Sequence, residues 1–167
     1  MIGTYPSPMQ PLAAVIPGLA ERPGGMPTIG QMHVLTIPLL LSADAKTAAS
    51  KTYKQALWAA PTDGWYVVKA YYGAVVVPNY DSAVLALERY DASGDAGANL
   101  LSAANVNLET LTAKEATQMT LSTTQINREL DEGDVIWSTT TIGLTEVAAG
   151  EGLFVTLVLQ GPEPDPA

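Results

Sequence analysis

Residues 152–160, Gly-Leu-Phe-Val-Thr-Leu-Val-Leu-Gln, decide the fold class. Leu153, Val155, Leu157 and Leu159 recur at every second position, and Thr156 and Gln160 fall on the opposite face. Side chains alternate across a strand, so a period of two marks a half-buried strand rather than a helix. The same alternation sets Val106 and Leu108 against Asn105, Asn107 and Glu109. Working outward, further strands are expected at residues 32–41, 53–59, 65–77, 83–90, 105–111, 117–123, 134–142 and 153–160. Turn chemistry separates them: Pro61-Thr62-Asp63-Gly64, Pro78-Asn79, Ser93-Gly94, Asp131-Glu132-Gly133 and Gly150-Glu151-Gly152. About eight strands at this spacing predict an all-β protein, a jelly-roll-like β-sandwich.

Residues 45–60 read two ways. Ala45, Ala49, Tyr53, Ala56 and Ala60 lie at helical spacing, and a helix would stop before Pro61. The strand at 53–59 is preferred, because Pro61-Thr62-Asp63-Gly64 would then close a hairpin into residues 65–72.

The domain expected at residues 32–160 is flanked by two segments of other character. Residues 1–31 hold six of the twelve prolines (Pro6, Pro8, Pro11, Pro17, Pro23 and Pro27) and only two charges, Glu21 and Arg22. Proline fixes φ and lacks an N–H, so this stretch builds neither a long helix nor a central strand. Tyr5, Met9, Leu12, Val15, Ile16, Leu19, Met26 and Ile29 nevertheless make it too apolar for a solvated linker. Extended at ~3.1 Å per residue it would reach about 90 Å. The residues after it would fold to a radius of gyration of only about 14 Å. Such an arm outreaches its own domain and is expected to dock on neighbouring molecules through those eight side chains. At the other end, residues 161–167 form a short, acidic, proline-spaced tail that cannot join a sheet.

The chain has 167 residues, 47% of them hydrophobic and 15% charged. That charge content lies well under the roughly 25% usual for soluble domains, as expected where partners cover part of the surface. The net charge of -9 is uneven. Residues 1–80 carry three acids (Glu21, Asp44, Asp63) and five bases (Arg22, Lys46, Lys51, Lys54, Lys69). All fourteen other acids lie in residues 81–167, against Arg89, Lys114 and Arg128. A strongly acidic half disfavours nucleic-acid binding, whose affinity comes mainly from neutralised phosphates. With no cysteine, disulfides and thiolate metal sites are excluded. No basic residue precedes Arg22, so no signal peptide is expected, and no apolar run is long enough to span a bilayer as a helix. No membrane partner is expected.

Motifs for chemistry are sparse. His33 is the lone histidine and cannot supply the converging imidazoles of a metal site; no Gly-x-Ser-x-Gly elbow accompanies it. Asp91, Ser93, Asp95 and Asn99 have calcium-loop spacing, but Ala96 and Ser102 stand where glycine and glutamate are needed. Glu129, Asp131, Glu132 and Asp134 crowd one turn instead of facing each other across a cleft, as glycosidase carboxylates must. Lys46, Lys51 and Lys54 around Tyr53 read as a solvated or partner-pairing face. Trp58, Trp65, Tyr66, Tyr71, Tyr72, Tyr80 and Trp137 read as core and subunit interface before sugar platform. No phosphate-cradling loop is present, and no cofactor is expected. The chain is expected not to be an enzyme.

A proline-rich arm followed by a small β-sandwich resembles the capsid decoration (cement) proteins of tailed bacteriophages. The resemblance rests on Asn127-Arg-Glu-Leu-Asp-Glu-Gly-Asp-Val-Ile136, then Gly143, then Gly152-Leu-Phe-Val-Thr-Leu-Val-Leu159, with Trp58-Ala-Ala-Pro-Thr-Asp-Gly64 of similar flavour. It implies a homotrimer on the capsid exterior, over threefold or quasi-threefold positions, with arms reaching over the major capsid protein. The expected function is to stabilise the shell by bridging its subunits. A carbohydrate-binding jelly roll used in adhesion is the alternative, with exposed, coplanar Trp or Tyr rings in a groove; a hydrolase with a carboxylate pair in a cleft is a third.

Overall fold

A computed structural model describes residues 32–39, 51–80, 82–94, 97–143, 146–148 and 150–162. All belong to the compact unit Gln31–Pro162. The strands are β1 (Met32–Pro38), β2 (Lys51–Ala59), β3 (Trp65–Gly73), β4 (Asn79–Tyr80), β5 (Ala83–Tyr90) and β6 (Ala98–Asn99). They continue with β7 (Val106–Asn107), β8 (Ala116–Gln118), β9 (Glu129–Leu130), β10 (Val135–Ile142), β11 (Glu146–Ala148) and β12 (Phe154–Gln160). The chain is all-β, as the alternation predicts.

Two five-stranded antiparallel sheets make the sandwich. One runs β1-β12-β3-β8, with β9 also on β3; the other runs β2-β10-β5-β6, with β7 also on β5. Hydrogen bonds join β11 to β4 as a separate short ribbon. The first and last strands pair along their whole length, Met32 with Gln160 through Pro38 with Phe154. Most consecutive long strands fall in opposite sheets, so the chain wraps around the core as in a jelly roll.

That wrapping overturns one expectation. Residues 61–64 do not close a hairpin: β2 lies in one sheet against β10, and β3 in the other against β12. The turn instead carries the chain across the end of the sandwich. Of residues 45–60, Lys51–Ala59 is strand rather than helix, and residues 45–50 lie outside the described residues. Strand bounds also tighten. β3 ends at Gly73, where a Cβ would meet the Glu115 carbonyl oxygen at 2.5 Å and the Phe154 ring at 2.6 Å. The strand expected at 105–111 shrinks to β7, because Asn107 turns the chain into a 3-10 helix over Leu108–Thr110; its Oδ1 accepts from the Glu109 N–H at 2.8 Å. The strand expected at 117–123 is only the three residues of β8.

The core lies between the sheets. In β12, Val155, Leu157 and Leu159 are fully buried while Phe154, Thr156 and Val158 face outward. Leu85 and Leu87 of β5 and Ile136 and Ile142 of β10 meet them from the other sheet's inner face. Burying each such side chain contributes about 1.5–3 kcal/mol. Trp58 and Trp65 pack edge to face at 5.0 Å, joining β2 to β3 across the two sheets. The Trp65 indole N–H donates to Thr62 Oγ1 at 3.1 Å, which removes the cost of burying it.

Two turns clasp each other at one end. Asp131-Glu132-Gly133-Asp134 is closed by the Asp134 N–H on the Asp131 carbonyl oxygen (3.0 Å) and by Asp134 Oδ2 on the Asp131 N–H (3.1 Å). Gly133 has φ +86°, a left-handed conformation that favours glycine. Its N–H donates to the Ala60 carbonyl, the Ala60 N–H donates to the Asp134 carbonyl, and Asp63 Oδ1 accepts from the Glu132 N–H at 2.7 Å. Two of the stretches that carry the family resemblance therefore meet here, as architecture.

Candidate functional site

The outward face of the β2-β10-β5 sheet carries a hollow of about 400 Å³. β10 builds its floor. Ile136, Ser138, Thr140 and Ile142 are buried toward the core, so Val135, Trp137, Thr139 and Thr141 point the other way. The register then decides the neighbours: Trp137 lies between Ala56 of β2 and Glu88 of β5, and Thr139 between Lys54 and Ala86. Small alanines beside the indole leave space over it. A bulge in β2 opposite Ile136 and Trp137 bends the strand at this point.

Tyr90 closes the hollow on one side, its ring 6.3 Å from that of Trp137 and inclined by 70°. The two rings are edge to face, not the coplanar pair expected of an adhesion platform. Glu88 Oε2 accepts from Tyr90 Oη at 3.4 Å and from Thr139 Oγ1 at 3.3 Å. At the rim, the turn Asp91-Ala92-Ser93-Gly94 is closed by the Gly94 N–H on the Asp91 carbonyl, and Asp91 Oδ1 accepts from both the N–H and the hydroxyl of Ser93. A Cβ on Gly133 would lie 3.1 Å from that of Ala92, so the two rim turns are in close contact.

The residues singled out from sequence fall in several places. Tyr5, Met9, Leu12, Val15, Ile16, Leu19, Met26 and Ile29 all lie outside the described residues. So do Lys46 and Asp95. His33 is exposed near the start of β1, its ring 4.9 Å from Trp65. Asn99 does not point at a shared ion position with Asp91; its Oδ1 accepts from the Leu101 N–H and its Nδ2 donates to the Ala103 carbonyl. Among the described residues no cluster of three or more His, Asp or Glu side chains is arranged to hold a metal.

Two side chains of the acidic cluster, Asp134 and Glu129, are tied into structure, and Asp131 and Glu132 are exposed. Asp134 is buried and lies 3.7 Å from the Arg89 guanidinium, which donates to the carbonyls of Ile126 and Glu129. Glu129 accepts from the Gln125 amide. Of the aromatics, Trp65 and Tyr72 are buried, and Tyr66 lies under Arg128 at 4.8 Å on the other sheet. Of the aromatics singled out from sequence, Trp137 is the one among the described side chains that lines the hollow. Tyr90 was missed as a site residue from sequence, but the signal for Trp137 was present: Ile136 and Ile142 mark the inner face, which puts a tryptophan among threonines on the outer one.

The second surface of note is the edge of the sheet that begins with β1. Met32 is 52% exposed and Val34 65% exposed, and among the described residues β1 has a strand on one side only. No acidic or basic residue other than His33 interrupts it. Thr36 and Thr156 share a hydroxyl hydrogen bond of 2.9 Å across to β12, so the outward face is uncharged there as well. No helix among the described residues is long and apolar enough to cross a membrane. Neither a protein-family model nor a curated protein sequence matches the chain.

Proposed function

We propose that the chain is a non-enzymatic structural protein of a virus particle, which decorates a capsid and stabilises it by binding across major capsid protein subunits. Residues 1–31 attach it, and the jelly roll supplies the body of a homotrimer on the capsid exterior. The observation that carries this reading is β1. It follows the arm directly in sequence, has no second neighbouring strand among the described residues, and exposes Met32 and Val34 with no lysine or glutamate within it. Uncovered edges of that kind invite association, and proteins that stay monomeric normally blunt them with charge. An uncharged edge that follows an apolar arm in sequence fits a surface that assembly covers. Apolar contact contributes about 25 cal/mol per Å² buried, so several hundred Å² per arm offsets much of the cost of ordering it. Three arms on one trimer multiply the effect through effective concentration.

The test is deletion of residues 1–31, followed by co-sedimentation with capsid shells of the virus that encodes the chain. The truncated protein should keep its β circular-dichroism spectrum and its oligomeric mass while losing particle binding. Binding equal to that of the full chain would refute the arm as the attachment.

A further inference from the structure

We propose that the hollow around Trp137 is a binding site for a neutral saccharide, seated over the indole. This goes beyond capsid attachment and does not depend on it, since no residue of the hollow belongs to the arm or to β1.

The lining has the two-sided chemistry of a sugar ring. Trp137, Tyr90 and Val135 offer apolar surface, while Lys54, Thr139 and Asp91 bring polar groups to the same space. A pyranose presents C–H groups on its face and hydroxyls around its rim, and an amphipathic aromatic suits that combination. The volume of about 400 Å³ sits at the lower end of ligand clefts and holds roughly one or two such rings.

The hydroxyls are set for a polyol. Tyr90 and Thr139 both direct their single hydroxyl hydrogen at Glu88 Oε2. A hydroxyl that has given away its hydrogen keeps its lone pairs, so both present acceptors to a ligand O–H. Lys54 supplies the complementary donor. Other ligand classes fit less well. A wholly apolar molecule would cover Lys54 and Thr139 without replacing their water contacts. A phosphorylated one would bring negative charge toward Glu88 and Asp91, with Lys54 as the one cation lining the hollow among the described residues.

Nothing in the core needs a tryptophan at this position. Trp58 and Trp65 pack together between the sheets, whereas Trp137 stands on the outer face between Ala56 and Glu88. The rim is also built in advance, because the turn at Gly133 leans on Ala92 of the turn at Asp91. A site formed before the ligand arrives loses less entropy on binding.

The experiment uses the full chain. Its three tryptophan indole N–H resonances are followed while the methyl glycosides of glucose, galactose, mannose and N-acetylglucosamine are titrated in, and the same protein is applied to an immobilised glycan array. The expected result is a saturable shift of the Trp137 indole with at least one saccharide, with the Trp65 indole unmoved. Trp137→Ala should weaken binding by about tenfold or more, which is ~1.4 kcal/mol. Thr139→Val, which keeps the shape and deletes the hydroxyl, should weaken it several-fold, and Tyr66→Ala on the opposite sheet should leave it unchanged. No saturable shift with any glycoside and no array signal would overturn the proposal. So would affinity unchanged in Thr139→Val, a variant that decides the matter even if Trp137→Ala fails to fold. A shift produced by cyclohexane-type alcohols and by no sugar would overturn the saccharide assignment as well.

Discussion

Removing the Asp134 carboxylate should cost the sandwich a measurable share of its stability, and the size of the loss can be divided between two causes. The residue is only 4% exposed. It holds the Asp131 N–H at 3.1 Å and faces the Arg89 guanidinium at 3.7 Å. A hydrogen bond to a charged group contributes about 1.5–3 kcal/mol. The ion pair adds little to this, because 3.7 Å is long and Arg89 keeps its two carbonyl partners, Ile126 and Glu129, when the carboxylate is gone. Asp134→Ala should therefore cost about 2–3 kcal/mol. Asp134→Asn retains an oxygen for the Asp131 N–H and loses only the charge, so it should cost about 1 kcal/mol. For a domain of this size each kcal/mol lowers Tm by about 4 °C, giving falls of about 8–12 °C and about 4 °C. Thermal unfolding followed by circular dichroism reads both. Equal losses in the two variants would refute the division, since the charge and not the backbone tie would then hold the turn. A loss below about 0.5 kcal/mol in Asp134→Ala would refute the role of the clasp altogether.

Other outcomes follow from single contacts. Leu157→Ala, at a fully buried position of β12, should cost about 2–5 kcal/mol by denaturant unfolding. Gly73→Ala should destabilise strongly, because the new methyl meets the Glu115 carbonyl at 2.5 Å; soluble expression and Tm would show it. Trp65→Phe deletes the hydrogen bond to Thr62 and should lower stability by about 1–3 kcal/mol. Val34→Lys, at a position 65% exposed, should change stability by less than about 0.5 kcal/mol yet reduce self-association and particle binding, read by analytical ultracentrifugation and co-sedimentation.

Strand identity was legible wherever one face meets the core. Leu153, Val155, Leu157 and Leu159 declared β12, and β5 falls at residues 83–90 as expected. The turn at residues 61–64 was legible as a turn, but its partner was not. Local chemistry says that the chain reverses there; which sheet the next strand joins depends on pairings far along the chain, here β2 with β10 and β3 with β12. The short strands were misjudged for a related reason, since Asn107 diverts the backbone by a side-chain hydrogen bond that alternation does not register. The hollow was least legible of all. Lys54, Tyr90 and Trp137 come from three strands, and only the register brings them together.

The pairing of β1 with β12 has a consequence for folding. β12 lies at the far end of the described sandwich from β1 in sequence and, among the described residues, is the strand hydrogen-bonded to it. Contacts between the two ends of a chain form late, since the whole loop between them must close first. A partly folded sandwich therefore leaves Met32, Val34 and the strand around them without this partner until β12 docks. The start of β1 is anchored only when Gln160 pairs with Met32. Disruption of β12 should therefore release β1 as well, so the two strands stand or fall together.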